Sequence, residues 1–285
     1  MERTHEANDE QAALWNGGAG HAWVETQDVL DRMFQPFEDL LVEAVAADAA
    51  GAVLDVGCGT GSTTLAIARR LGPRARCAGV DISEPMIALA RERAQRAGSP
   101  ATFTCADAQV HAFEPGVFDM IVSRFGVMFF DDPVQACSNL RRAATAGARL
   151  GVIVWRGAAE NPFMTTAERA AAPLLPDLKA RRPDAPGQFA FADPSRITSV
   201  LQASGWEQPD IRPIDVVCSF PERELVRYLS WVGPVGLILQ KADDLTRQTV
   251  VHKLRTAFEP FVRGADVRYT AACWMVHARA PGRIG

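Results

Sequence analysis

No apolar run in this chain reaches the roughly 18 residues that a membrane-spanning helix needs, so no membrane partner is expected. Its six cysteines (Cys58, Cys77, Cys105, Cys137, Cys218, Cys273) include no Cys-x-x-Cys pair. They read as reduced, mostly buried small side chains rather than a disulfide framework. The five histidines (His5, His21, His111, His252, His277) lack ligand spacing, so no metal site is expected. Positive charge is not in excess: the formal net charge is -4 over 285 residues. Nucleic acid and anionic lipid are held mainly by basic patches. The basic run from Lys179 to Arg182 is followed by Pro183 and Pro186 and reads as a solvated loop. The opening MERTHEANDEQ has no apolar core of the signal-peptide kind, and residues 1–13 are expected to be a disordered tail. Apolar residues make up 48% and charged residues 22%, the balance of a globular enzyme, expected in the cytoplasm. There is no internal repeat and no coiled-coil heptad that would set an oligomeric state.

What the chain does have is a rhythm. Between Thr26 and Ala50, apolar residues from Val29 to Val45 recur at helical spacing, with Pro36 expected to kink or divide the segment. Ahead of it stands WNGGAGHAW, three glycines between Trp15 and Trp23. Ala52 to Val56 is a short apolar run, followed by a glycine loop and a periodic helix from about Ser62 to Arg70. Strand and helix then alternate through RCAGVDIS, EPMIALARERAQRAG, ATFTCADAQ, FDMIVSRFGVMFF, DPVQACSNLRRAATAG and ARLGVIVW. Strands that are continuously apolar indicate a parallel sheet covered on both faces. After Trp155 the pattern breaks into short helices and loops over 157–192. DPSRITSVLQASGW then reads as a helix, DIRPIDVVCSF as a strand and DVRYTAACWMVHARAP as a long final strand. Four units are expected: the tail, N-terminal lid helices over 14–50, a ligand-binding core over 51–156, and 157–285. The last carries the rest of the sheet and a helical insertion at about 221–263.

The strongest chemical signal is the loop Asp55-Val56-Gly57-Cys58-Gly59-Thr60-Gly61. Glycines between strand and helix let backbone approach a ligand and adopt unusual dihedrals. A dinucleotide fingerprint would need glycine where Ser62 stands, and a Gly-Lys-Ser/Thr triphosphate ending is absent. Asp81 and Asp107 close the next two strands, where they are placed for a ribose diol and an adenine edge. A strand-end aspartate alone is as readily a cap or turn former. Ligands of open α/β sheets lie beyond the strands' carboxyl ends, so the three features converge on one crevice. They imply a ligand with an adenosine end and no pyrophosphate, and Asp55 suits an ammonium rather than a phosphate.

Taken in order, VLDVGCGTG, GVDIS, CADAQ and FDMIVSRFGVMFF resemble the successive motifs of class I S-adenosylmethionine-dependent methyltransferases over about residues 50–155. The likeness is to the small-molecule branch similar to ubiquinone and menaquinone C-methyltransferases. It implies an α/β Rossmann-like fold with a seven-stranded, mostly parallel sheet, an antiparallel last strand and helices on both faces. It implies S-adenosylmethionine as cofactor and S-adenosylhomocysteine as product. By the same resemblance Gly57, Gly59 and Gly61 line the methionine part, with Asp55 acting through that network. Asp81 binds the ribose hydroxyls, Ile82 packs on adenine, Asp107 accepts from the adenine amino group beside Ala108, and Ser123 offers its carbonyl to the ammonium.

Methyl transfer from a sulfonium is an in-line displacement, in which a protein mainly supplies proximity and alignment. Oxygen and nitrogen acceptors often need a general base as well. His21 and His111 are the candidates for that role, His21 first, since His111 reads more readily as a surface residue beside adenine. Arg124, in SRFG, is the candidate for pairing with a carboxylate of cofactor or substrate, against the plainer reading of a surface ion pair. Phe125 and Trp231 are expected to wall an aromatic pocket. Trp15 and Trp23 would seal it, with Gly17, Gly18 and Gly20 as hinge, unless the tryptophans simply anchor the first helix. The expected acceptor is a small aromatic or apolar metabolite of secondary metabolism, with carbon favoured over oxygen or nitrogen. An RNA or protein acceptor is disfavoured by the net charge and by SRFG standing where an Asn/Asp-Pro-Pro-Tyr/Phe tetrad would be. The readings from other classes are an NAD-dependent oxidoreductase, disfavoured by Ser62, and a non-catalytic S-adenosylmethionine-binding regulator.

Overall fold

The computed structural model describes residues 3–48, 50–182 and 185–282, with side chains from Asp9 onward. The expected alternation is present. It runs β1 (Ala52–Val56), α4 (Ser62–Leu71), β2 (Arg76–Asp81), α5 (Glu84–Arg96), β3 (Thr102–Cys105), β4 (Phe118–Arg124), α6 (Pro133–Ala143) and β5 (Ala144–Trp155). There follow α7 (Pro162–Ala171), α8 (Pro194–Ala203) and β6 (Glu207–Pro221). The helices α9 (Leu225–Trp231), α10 (Gly233–Leu239) and α11 (Asp244–Phe258) form the insertion, and β7 (Val262–Arg263) and β8 (Asp266–Arg279) close the chain.

The sheet order is β3-β2-β1-β4-β5-β8-β6, with β1 to β5 mutually parallel and β8 antiparallel to both its neighbours. The sheet has eight strands rather than seven because the two-residue β7 hairpins onto β8. Leu54, Val56, Val80, Ile121, Val122 and Ile153 are buried whichever face they point to, as parallel strands covered on both sides require. The order reverses between β1 and β4, which opens a crevice beyond their carboxyl ends.

The N-terminus departs from expectation. Helix α1 spans Arg3–Asn16, so the segment predicted as a disordered tail is helical from Arg3 onward; residues 1 and 2 lie outside the described residues. Its carboxyl end is fixed to the β2–α5 corner. Asn16 Nδ2 donates to the Ile82 carbonyl at 3.0 Å, and Asn16 Oδ1 accepts from Glu84 N at 2.8 Å. Ser83 Oγ donates to the Trp15 carbonyl at 2.6 Å. Asn16 thus caps α5 in place of Ser83, the local cap residue, whose hydroxyl is taken.

Helix α2 (Gly18–Glu25) contains two of the three glycines predicted as a hinge. A Cβ on Gly20 would lie 1.9 Å from the Trp15 carbonyl oxygen and 2.7 Å from Ser83 Oγ. Glycine is needed at that position for close approach, and only Gly17 falls at the break between helices. Helix α3 (Gln27–Ala47) runs through Pro36 undivided. The buried face formed by Met33, Phe34, Phe37 and Leu41 holds it together where one backbone hydrogen bond is missing. Among the described residues no helix is long and apolar enough to cross a membrane, and no His/Cys/Asp/Glu group could hold a metal ion.

Candidate functional site

A cavity of about 570 Å³ lies beyond the carboxyl ends of β1, β2 and β4, under α1, α2, α9 and α10. One end is the glycine loop, where Gly57, Gly59, Asp81, Ile82, Asp107 and Ala108 all line it. Gly57 has φ +67°, and a Cβ there would lie 2.6 Å from Gly126 Cα. A Cβ on Gly126 would in turn meet Gly57 Cα at 2.7 Å and the Val56 carbonyl oxygen at 2.6 Å. Two backbone passes therefore touch, and both must be glycine. Gly59 donates its N–H to Asp81 Oδ2 at 2.8 Å, while Ser83 N donates to Asp81 Oδ1 at 2.9 Å. Burial raises the Asp81 carboxyl above its usual range and these N–H bonds oppose the rise.

Three residues expected in the crevice support it from beneath. Gly61, φ +84°, caps α4 and faces the core, where a Cβ would lie 2.9 Å from Phe103 Cζ. Asp55 is buried under the loop and accepts from Thr64 Oγ1 at 2.6 Å. Ser123 is fully buried, and its Oγ accepts from Gly126 N at 3.1 Å, holding the glycine-to-glycine contact in place.

Burial pushes the Asp55 carboxyl up to about 6, with the Thr64 bond and Arg124 acting in the opposite direction. The folded chain therefore holds this proton more tightly than the unfolded chain does. The resulting stabilisation is complete below about pH 4 and is lost as pH rises through about 6, a change of about 3 kcal/mol for two pKa units. Asp55→Asn keeps an acceptor for Thr64 and carries no charge. Its midpoint in urea, relative to the parent, should rise between about pH 4 and about pH 7.5. An equal difference at both pH values would contradict this.

Arg124 is not at the surface. It lines the cavity, donates from Nη2 to Ser62 Oγ at 3.0 Å, and its guanidinium lies 5.6 Å from the centroid of the Phe34 ring. Burial lowers its pKa, while the charges of Glu38, Asp31 and Asp55 act in the opposite direction. Removing a buried charge that has such company costs about 3–5 kcal/mol. Arg124→Ala should therefore lower the urea midpoint as well as any activity, and an unchanged midpoint would rule out the charge-balancing role.

The middle of the cavity is aromatic. Phe125 lies 4.6 Å from Trp155, stacked at 16°, and Phe34 stands 5.4 Å from Phe125 and 6.2 Å from Trp23. Trp15 meets Phe129 at 5.1 Å. Phe125 has φ +66°, a strained conformation for a bulky side chain, which turns the chain at the end of β4 beside the glycine loop.

Two expected residues are elsewhere. His21 is exposed. Ala19, Ala22 and Trp23 are the cavity-facing residues of α2, and at 100° per residue His21 falls on the opposite side. Trp231 does not line the cavity, whereas Tyr228, Leu229 and Val232 around it do. Residues that sequence reasoning passed over do reach the cavity: Gln11, Glu168, Arg181, Gln188 and Tyr228. The Gln11 side-chain oxygen is buried with no hydrogen-bond partner among the described residues. Tyr228 was findable as an apolar-bodied residue one helical turn before Val232.

The family model for a methyltransferase domain matches residues 53–147, from β1 into β5. That match covers about a third of the chain, the part that forms β1 to β5 and the glycine loop. A demethylmenaquinone methyltransferase of Thermus thermophilus is 34% identical over 131 residues, covering 44% of this chain and 59% of that protein. The nocamycin O-methyltransferase of Saccharothrix syringae is 25% identical over 253 residues, covering 83% of this chain and 88% of that protein. The matched region is thus less than two thirds of the Thermus protein's length. Among solved structures, YcgJ of Bacillus subtilis superposes with TM-score 0.54 at 18% identity, covering 86% of this chain and 97% of that one. The magnesium protoporphyrin IX methyltransferase of Synechocystis PCC 6803, solved with S-adenosylhomocysteine, does so with TM-score 0.55 at 20% identity, covering 75% and 94%. These likenesses establish the fold.

Proposed function

We propose that this chain transfers a methyl group from S-adenosylmethionine to a small, uncharged, aromatic acceptor, leaving S-adenosylhomocysteine. The observation that carries this reading is the joining of a glycine-walled, carboxylate-bearing cradle to an aromatic chamber in a single cavity. The cradle suits the cofactor. Gly57 and Gly59 present bare backbone, the Asp81 carboxylate lines the cavity as an acceptor for hydroxyls, and Ile82 and Ala108 flank an apolar slot beside Asp107. The unpartnered Gln11 oxygen supplies a further acceptor from the roof. Arg124 would meet a carboxylate of cofactor or acceptor, and the Ser123 segment the ammonium. An Arg124→Ala variant with unchanged cofactor affinity and turnover would remove that assignment.

The bound cofactor would supply an electrophilic methyl on a cationic sulfur. The protein's part is then alignment and exclusion of water. Phe34, Phe125 and Trp155 present π faces that favour a nearby cation and hold a flat ring, and α1 and α2 shut the chamber. None of His21, His111, His252 and His277 lines the cavity, which favours an acceptor atom already rich in electrons. An activated ring carbon is the first reading, by likeness to the menaquinone and ubiquinone enzymes. Oxygen is the second, supported by the nocamycin O-methyltransferase relative, whose alignment extends over most of this chain. Incubation of the protein with labelled methyl donor and a panel of phenols and indoles, followed by mapping of the methylated atom, tests the reading. Tight cofactor binding with no transfer to any small acceptor would support a regulator instead.

A further inference from the structure

Apart from the glycine loop, the cavity wall holds a second set of polar side chains. Phe163, Met164, Ala167 and Phe258 line it together with Glu168, Arg181, Gln188 and Tyr228. Arg181 Nε donates to Glu168 Oε2 at 2.8 Å and Nη2 to Oε1 at 2.5 Å, a two-pronged ion pair. Its Nη1 donates to Gln188 Oε1 at 3.1 Å, and its guanidinium lies 4.8 Å from the centroid of the Phe189 ring. Tyr228 is only 9% exposed and lines the cavity. Both Arg181 and Glu168 act electrostatically on that phenol, Arg181 more strongly, and burial holds it protonated.

A phenol on a cavity wall can donate to or accept from a ligand group that enters, for about the net worth of one hydrogen bond. The Gln188 carboxamide has spent its oxygen on Arg181 and keeps its N–H groups. The Arg181–Glu168 pair neutralises itself. An anionic ligand group would gain Arg181 only at the expense of repulsion from Glu168, and a cationic group faces the reverse. We propose that Tyr228 and Gln188 form a recognition site for an uncharged oxygen substituent, a hydroxyl or carbonyl, on the acceptor. That group sits at the end of the acceptor away from the atom that is methylated, and the Arg181–Glu168 pair selects against carboxylates there. The proposal rests on the methyltransferase reading for what occupies the chamber.

Three rigid probes differ only at one end: para-phenylphenol, para,para′-dihydroxybiphenyl and para′-hydroxybiphenyl-para-carboxylate. Their affinities are measured by calorimetry on the full chain, with and without S-adenosylhomocysteine. The diol should bind at least about fivefold more tightly than phenylphenol, the worth of one net hydrogen bond, and the carboxylate more weakly than the diol. Tyr228→Phe should bring the diol to within about twofold of phenylphenol while leaving S-adenosylhomocysteine affinity unchanged. Glu168→Gln should free Arg181 and improve carboxylate binding relative to the diol. Equal diol and phenylphenol affinity, a parent that prefers the carboxylate, no binding of any probe, or a diol advantage surviving in Tyr228→Phe would each overturn the proposal. Failure of S-adenosylhomocysteine to bind, with the probe order intact, would instead count against the methyltransferase reading alone.

Discussion

Gly57→Ala is expected to abolish cofactor binding and lower the melting temperature, whereas Gly59→Ala, two residues away, is expected to do far less to stability. Both glycines have positive φ, +67° and +55°. Alanine in that region costs about 1–2 kcal/mol. The difference lies in the space around them. A methyl on Gly57 would lie 2.6 Å from Gly126 Cα, which is backbone and cannot rotate away, whereas on Gly59 the nearest atom is Met86 Sδ at 3.8 Å. Overpacking of the first kind adds about 1–3 kcal/mol. The strain also separates β1 from the turn after β4, the two passes that shape the cradle. Thermal unfolding and calorimetry with S-adenosylhomocysteine check this. Equal losses of stability in the two variants would show that dihedral strain alone sets the requirement.

Removal of residues 1–23 is expected to reduce methyl transfer by more than about 100-fold and to weaken S-adenosylhomocysteine binding, with a cooperative unfolding transition retained. The segment carries Gln11, Trp15, Ala22 and Trp23 into the cavity, so without it the chamber stands open to water. The sheet and its flanking helices keep their own core. Asn16→Ala is the milder variant. It removes the bond to the Ile82 carbonyl and the cap on α5, which should cost about 1 kcal/mol and reduce turnover in the same direction. A truncated protein that turns over at the full rate would exclude the lid.

The Rossmann-like core was readable because its signals are local. A continuous apolar run such as Ala52–Val56 followed by a glycine loop has few alternative structures, and strand-end aspartates fall beyond the sheet wherever such a sheet forms. The requirement at Gly57 was legible, but its cause was not. Gly126 lies far along the chain, and only the fold brings the two backbones together. The glycines of WNGGAGHAW misled for the same reason: Gly20 serves a contact with Trp15 and Ser83 inside a helix, and composition alone suggested a hinge. His21 and Trp231 were chosen by residue type, although helical phase places His21 away from the cavity and α9 turns Tyr228 inward instead. The polar part of the chamber joins α7 and α9 with Arg181 and Gln188, a meeting that no sequence spacing encodes.

The proposed cradle for an adenosyl sulfonium cofactor opens into the acceptor chamber within one cavity. Titration calorimetry of the full chain with S-adenosylmethionine, S-adenosylhomocysteine and NAD tests it most directly. Micromolar or tighter one-to-one binding of the first two, with no measurable heat from NAD and loss of binding in Gly57→Ala, is the predicted result. Tight NAD binding without binding of either adenosyl compound would contradict it.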